Sequence, residues 1–170
     1  MDAALPIGLA IAIVVALFVL VEGLLRRRTL LRQLDAAWLE VPRDEATGLF
    51  DTRVCLQRVA AEVKRARRGG GSVWVVVVTV LDGDADRFGR ILFDSMRLPE
   101  VGFRLSDQVV VIARPNVDPS VRADVLGRVA AAAPRERLAI GEATWSSAED
   151  GNAADLLRRA SDAVREVTVA

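Results

Sequence analysis

Residues 73–81 read VWVVVVTVL, nine uncharged positions that are mostly β-branched. The run is too short to cross a bilayer, which takes about 20 residues of helix. β-Branched side chains disfavour a helix and pack well on a pleated surface. Odd and even positions are equally apolar, so both faces need cover. That pattern belongs to a strand inside a sheet with other elements against each face. At an exposed edge the same run would invite aggregation. Gly69-Gly70-Gly71 precedes it and the turn Asp82-Gly83-Asp84 follows it.

The flanking segments supply the cover. Residues 51–68 place Cys55, Val59 and Val63 on one side and Arg58, Glu62 and Arg65 toward solvent, which predicts an amphipathic helix. The glycine run after it is no phosphate loop, because a phosphate loop follows a strand and opens a helix. Residues 86–96 form a short helix with Phe88, Ile91 and Leu92. Residues 101–104 and 108–113 form an antiparallel hairpin about Ser106-Asp107, closed by Pro115. Asp118 and Pro119 open a further helix as N-cap and first helical residue, with Val121, Val125, Leu126 and Val129 on its apolar face. A strand over 138–144 and an amphipathic helix over 153–166 complete the order. The helix of Val59 and Val63 and the helix of Val125 and Val129 are the expected covers for 73–81. The fold class is α/β, a sandwich with a mixed sheet and a central hairpin.

Residues 5–25 are a second constraint. They read LPIGLAIAIVVALFVLVEGLL, with Glu22 as the one charge. As a helix this segment spans about 30 Å, the thickness of a bilayer core. Asp2 precedes it; Arg26, Arg27, Arg28 and Arg32 follow. The positive flank stays in the cytoplasm, so residues 1–4 face outward and the rest inward. A cleaved signal peptide needs positive charge before the apolar run and a small-residue cleavage site after it, and neither is present. Glu22 can reach the interface and meet Arg26. Residues 26–43 form a helical connector with Leu31, Leu34 and Trp38 along one stripe, ended by Pro42. The stripe suits a second copy, as a homodimer, or the chain's own domain. The expected protein is thus a single-pass protein of the plasma (inner) membrane with one domain, 44–170, on the cytoplasmic side.

Composition excludes some chemistry. There is no His, so imidazole acid–base catalysis and His metal ligation are absent. Cys55 is the single cysteine, which rules out an internal disulfide and suits a small core residue. Lys64 is the sole lysine among many arginines, and arginine cannot do pKa-tuned amine chemistry.

Four segments carry a family resemblance. Asp44-Glu45-Ala46-Thr47-Gly48-Leu49-Phe50-Asp51-Thr52-Arg53 is similar to D-x-L-T-G-L-x-N-R-R, with Asp44, Thr47, Gly48, Leu49 and Arg53 matching. Residues 103–115 align without a gap to an R-x-G-G-D-E-F hairpin and the strand that runs from it to a proline. Ala139-Ile140-Gly141 resembles S-I-G, and residues 156–163 resemble L-L-x-x-A-D-x-A. Together they resemble the GGDEF family, the diguanylate cyclase domains of bacterial cyclic di-GMP signalling. The resemblance implies that family's mixed sheet with helices, a nucleotidyl-cyclase-like fold.

The departures fall on the chemistry. The signature here is Ser106-Asp107-Gln108-Val109-Val110. In the family two glycines let the backbone approach GTP and the third-position carboxylate binds the catalytic metal. Ser106 and Asp107 carry side chains there, Gln108 is a poor Mg²⁺ ligand, and Val109 has no polar atom. The segment of the family's N-D and G-H-x-x-G-D residues is largely missing, and its late phosphate-steadying Lys falls at Thr168. Asp82 and Asp84 form a D-x-D that reads as a solvated turn. Arg97-Leu98-Pro99-Glu100 stands where many of these cyclases carry an inhibitory R-x-x-D product site, so Arg97 and Glu100 are candidate ligand residues. The other reading of Arg97 is a cation at a helix C-terminus. No catalytic residue, metal or cofactor is expected. The expected function is an inactive GGDEF-like signalling or scaffold domain. Its partners are the membrane and a protein or second copy, with no nucleic acid. The alternative is a cyclic di-GMP receptor working through Arg97 and Glu100; an active cyclase is the remaining rival.

Overall fold

A computed structural model describes residues 41–149 and 151–167. The expected span at 5–25 and the connector up to residue 40 lie outside the described residues. Among the described residues no helix is long and apolar enough to cross a membrane.

The order is β1 (Phe50–Asp51), α1 (Thr52–Gly69), β2 (Ser72–Asp82), α2 (Ala85–Ser95), β3 (Val101–Arg104), β4 (Val109–Pro115), α3 (Pro119–Ala132), β5 (Arg137–Ser146), α4 (Ala153–Asp162) and β6 (Arg165–Val167). The strands form one six-stranded mixed sheet in the order β1-β3-β4-β2-β5-β6. β2 lies inside it, antiparallel to β4 on one side and to β5 on the other. The run 73–81 is thus an interior strand, as its composition requires.

Its two faces feed two cores. Val73, Val75 and Val77 pack with Cys55, Val59 and Val63 of α1 and Leu156 and Ala160 of α4. Trp74, Val76, Val78 and Val80 pack with Phe88 and Leu92 of α2 and Val125 and Val129 of α3. The two helices expected as covers therefore lie on opposite faces. Each fully buried Val contributes about 1.5–3 kcal/mol relative to exposure. Cys55 is a core residue, and burial pushes its thiol pKa up to about 12, so it stays protonated.

Some elements differ from the sequence expectation. The expected helix 153–166 ends at Asp162, and residues 165–167 turn back as edge strand β6 against β5. The close packing of this corner explains the break. A side chain at Gly141 would meet the Ala160 carbonyl oxygen at 2.1 Å and the Val164 nitrogen at 2.6 Å, so the end of α4 rests on bare backbone. The hairpin's second strand starts at Val109, leaving Gln108 in the turn, and it continues to Pro115. The short β1, unforeseen, pairs in parallel with β3 through Phe50↔Phe103 and Asp51↔Arg104.

Candidate functional site

The β3–β4 hairpin carries Ser106, Asp107 and Gln108 in its turn. Arg104 pairs with Val110 in the ladder, and Leu105 N donates to Val109 O at 2.8 Å to close the turn. Val80 N donates to Gln108 O at 2.9 Å, which seats the turn beside the far end of β2. Ser106, Asp107 and Gln108 are exposed.

Arg104 organises this end of the sheet. Its side chain is mostly buried, and its guanidinium lies 3.0 Å from Asp44, 2.6 Å from Asp86 and 3.6 Å from Asp107. It also donates to the Ser106 carbonyl at 3.3 Å. One cation therefore joins the chain entry at Asp44, the first turn of α2 and the hairpin. Asp44 is fixed from its own side as well, since its carboxylate accepts from Thr47 N at 2.9 Å and Thr47 Oγ1 at 2.6 Å. Burial alone would raise the Asp44 pKa, but hydrogen bonds from Thr47 and Arg104 and the Arg104 charge hold it below the usual carboxylate value. Gly48 closes this turn at φ +76°, a conformation that favours glycine, with the Phe93 ring 3.2 Å from where a side chain would start.

The Asp82–Asp84 turn is spent on local structure. Asp84 is the N-cap of α2, its carboxylate accepting from Arg87 N at 2.9 Å. Asp82 is exposed and pairs in register with Arg137 beyond an irregularity in the β2–β5 ladder. Among the described residues no group of three or more side chains is placed to hold a metal ion.

Arg97 and Glu100 lie on the loop between α2 and β3, and their side chains part. The Glu100 side chain is 1% exposed. It pairs with Arg114 of β4, accepts from Arg128 of α3 at 2.7 and 2.8 Å, and accepts from Arg97 N at 2.9 Å. Burial alone would raise its pKa; the Arg128 and Arg97 hydrogen bonds, the Arg128 charge and the Arg114 bond hold it below the usual value. The Arg97 guanidinium is exposed and faces Asp124 at 3.3 Å. An open cleft of about 260 Å³ is lined by Arg97, Leu98, Arg114, Ser120, Val121 and Asp124.

The sequence matches no family model and no curated protein. Solved structures do match. A sensory box/GGDEF family protein from Caulobacter crescentus superposes with a TM-score of 0.61 at 22% identity, over 72% of this chain and 94% of that one. The diguanylate cyclase SiaD of Pseudomonas aeruginosa, solved with its activator SiaC, gives 0.66 at 19% identity over 93% and 71%. The GGDEF domain of Caulobacter crescentus DgcB, solved with c-di-GMP, gives 0.62 at 14% identity over 71% and 83%. The fold is that of GGDEF domains.

Within the GGDEF fold, the hairpin about Ser106–Val110 occupies one end of the sheet, while Arg97 and Glu100 sit between α2, α3 and β4. The structure brings Glu100 together with Arg114 and Arg128, and it brings Arg104 together with Asp86; sequence reasoning named none of these pairings. Asp124 and Arg128, four apart on α3 and 3.1 Å from one another, were a readable helical pair. Arg114 stands one step beyond the Val101↔Ala113 pair of the hairpin, so it is the hairpin register that brings it to Glu100.

Proposed function

We propose that this chain is a GGDEF-like module without cyclase activity, tethered by residues 5–25 to the cytoplasmic face of the membrane, and that it works by engaging a protein partner or a second copy of itself. One observation carries this reading. Gln108 and Val109 stand at the positions of the family's acidic pair, and the carboxylates brought to the hairpin, Asp44, Asp86 and Asp107, all face Arg104. Phosphoryl transfer by metal ions needs carboxylates free to hold the metals and in-line placement of the triphosphate. Here three acids share one guanidinium, with Asp44 and Asp86 held closest to it. The SiaD structure, solved with its activator, supports a protein partner as the mode of action.

The test is a turnover assay of the purified full chain with GTP and Mg²⁺ or Mn²⁺. No cyclic product is expected; product that disappears in Gln108→Ala would overturn the proposal. Protease protection of a C-terminal reporter checks the topology, and capture from detergent-solubilised membranes identifies the partner.

A second reading rests on the cleft at Arg97. DgcB is solved with c-di-GMP, and the exposed Arg97 and the cleft-lining Arg114 offer guanidinium donors to a phosphodiester or a guanine edge. Glu100 is already taken by Arg114, Arg128 and the Arg97 amide, so a ligand here would be held by arginines and not by the acid. Calorimetry with cyclic di-GMP on the full chain and Arg97→Ala separates receptor from scaffold.

A further inference from the structure

The end of α1 gathers Lys64, Arg65, Arg67 and Arg68, all exposed, on its last turns. Arg65 is paired with Glu62 at 2.6 Å. Arg67 donates to the Gly151 carbonyl at 2.9 Å and lies 5.5 Å from the Trp145 ring centre. Glu149, near that loop, is paired with Arg159 at 3.1 Å. Lys64 and Arg68 have no ion-pair partner among the described residues. The helix dipole favours cations at a C-terminus, but that effect fades within a turn and does not call for four of them.

The cluster crowns an open apex. α1 passes into Gly70 in the left-handed region, and a side chain at Gly69 or Gly70 would meet nothing within 4 Å. The apex lies where β2 begins, at Ser72, whereas the signature hairpin lies beside Thr79 and Val80. At about 3.3 Å per residue these two ends of β2 are roughly 23 Å apart.

We propose that this apex docks on anionic phospholipid headgroups, giving the chain a second hold on the bilayer beside the span at 5–25. The inference rests on the membrane-tethering reading for its high local concentration of lipid. Each Lys or Arg held near an anionic surface strengthens binding about fivefold, and added salt screens it. The hairpin lies at the opposite end of β2 from this apex.

Lys64 is the sole lysine and therefore a unique side-chain probe. The full chain is placed in nanodiscs of phosphatidylcholine alone or with added phosphatidylserine, and acylation of Lys64 by an amine reagent is followed by peptide mapping. Labelling is expected to slow about fivefold or more on phosphatidylserine and to recover in high salt. Arg68→Gln, which removes an unpaired cation, should relieve part of the protection, and Arg67→Gln/Arg68→Gln most of it, with unchanged circular dichroism. Equal Lys64 labelling on both lipids at low salt overturns the proposal, as does protection by RNA or an acidic polypeptide but not by lipid. Co-elution with the neutral discs tests the span separately. A chain that joins only the phosphatidylserine discs and leaves them in salt sinks the span and upholds the apex; one that joins neither sinks both.

Discussion

Glu100 and Arg104, at the two ends of β3, are built as electrostatic opposites. Glu100 is a buried anion held by the guanidinium groups of Arg114 and Arg128 and by the Arg97 amide. Arg104 is a cation at the rim, held by Asp44, Asp86 and Asp107, of which Asp107 is fully exposed. Water and salt reach the second cluster and weaken it; they do not reach the carboxylate of the first. The buried pairing ties the α2–β3 loop to α3 and β4, whereas the rim pairing ties the chain entry to the hairpin. A residue that looks like a ligand in the sequence can thus be consumed by the fold when its charge is taken out of water.

The largest effect is expected from Glu100→Ala. It leaves Arg114 and Arg128 facing one another without the anion, and breaking a buried pair in this way costs about 3–5 kcal/mol. Equilibrium denaturation measures it; a loss no greater than that of Arg104→Ala would break the comparison. Arg104→Ala removes charged hydrogen bonds at the rim and should cost about 2 kcal/mol, with the loss shrinking in added salt. Salt-insensitive loss would show that the rim is drier than its exposure indicates.

Acid sharpens the contrast further. The folded-state pKa values of Asp44 and Glu100 are both held below their ordinary values of 3.8 and 4.5. The unfolded chain therefore binds more protons in that range. These carboxylates contribute their stability in full above the ordinary values and lose it as pH falls through the lower folded ones. Denaturation midpoints measured from pH 6 downward should fall below about pH 4.5, and Glu100→Gln should flatten part of that fall. An unchanged slope in Glu100→Gln would mean that other carboxylates govern acid unfolding.

The smallest effects separate two aspartates of one turn. Asp84→Ala removes the cap of α2 and should cost about 1 kcal/mol. Asp82→Ala, exposed and outside the cap, should change stability by less than about 0.5 kcal/mol. Equal losses would point to a role for Asp82 beyond its place at the end of β2.

The sequence by itself determined the sheet. A run such as 73–81 has one stable environment, between two apolar layers, and the valines of the α1 and α3 segments could be matched to it by period alone. It also set Gln108 and Val109 at the hairpin, residues that differ in chemical type from the acidic pair of the family the sequence resembles. Only the tertiary structure decided what the remaining charges do. Glu100 meets Arg128 of α3 and Arg104 meets Asp44 sixty residues away, so no local spacing announces these two contacts. The end of α4 was equally illegible. Its helical pattern runs on past Asp162, and what stops it is the close approach to Gly141 on β5 together with the pairing of 165–167 at the sheet edge. Periodicity records how each segment partitions between water and a core, whereas ion pairs and helix ends depend on which segments the fold brings within a few ångströms.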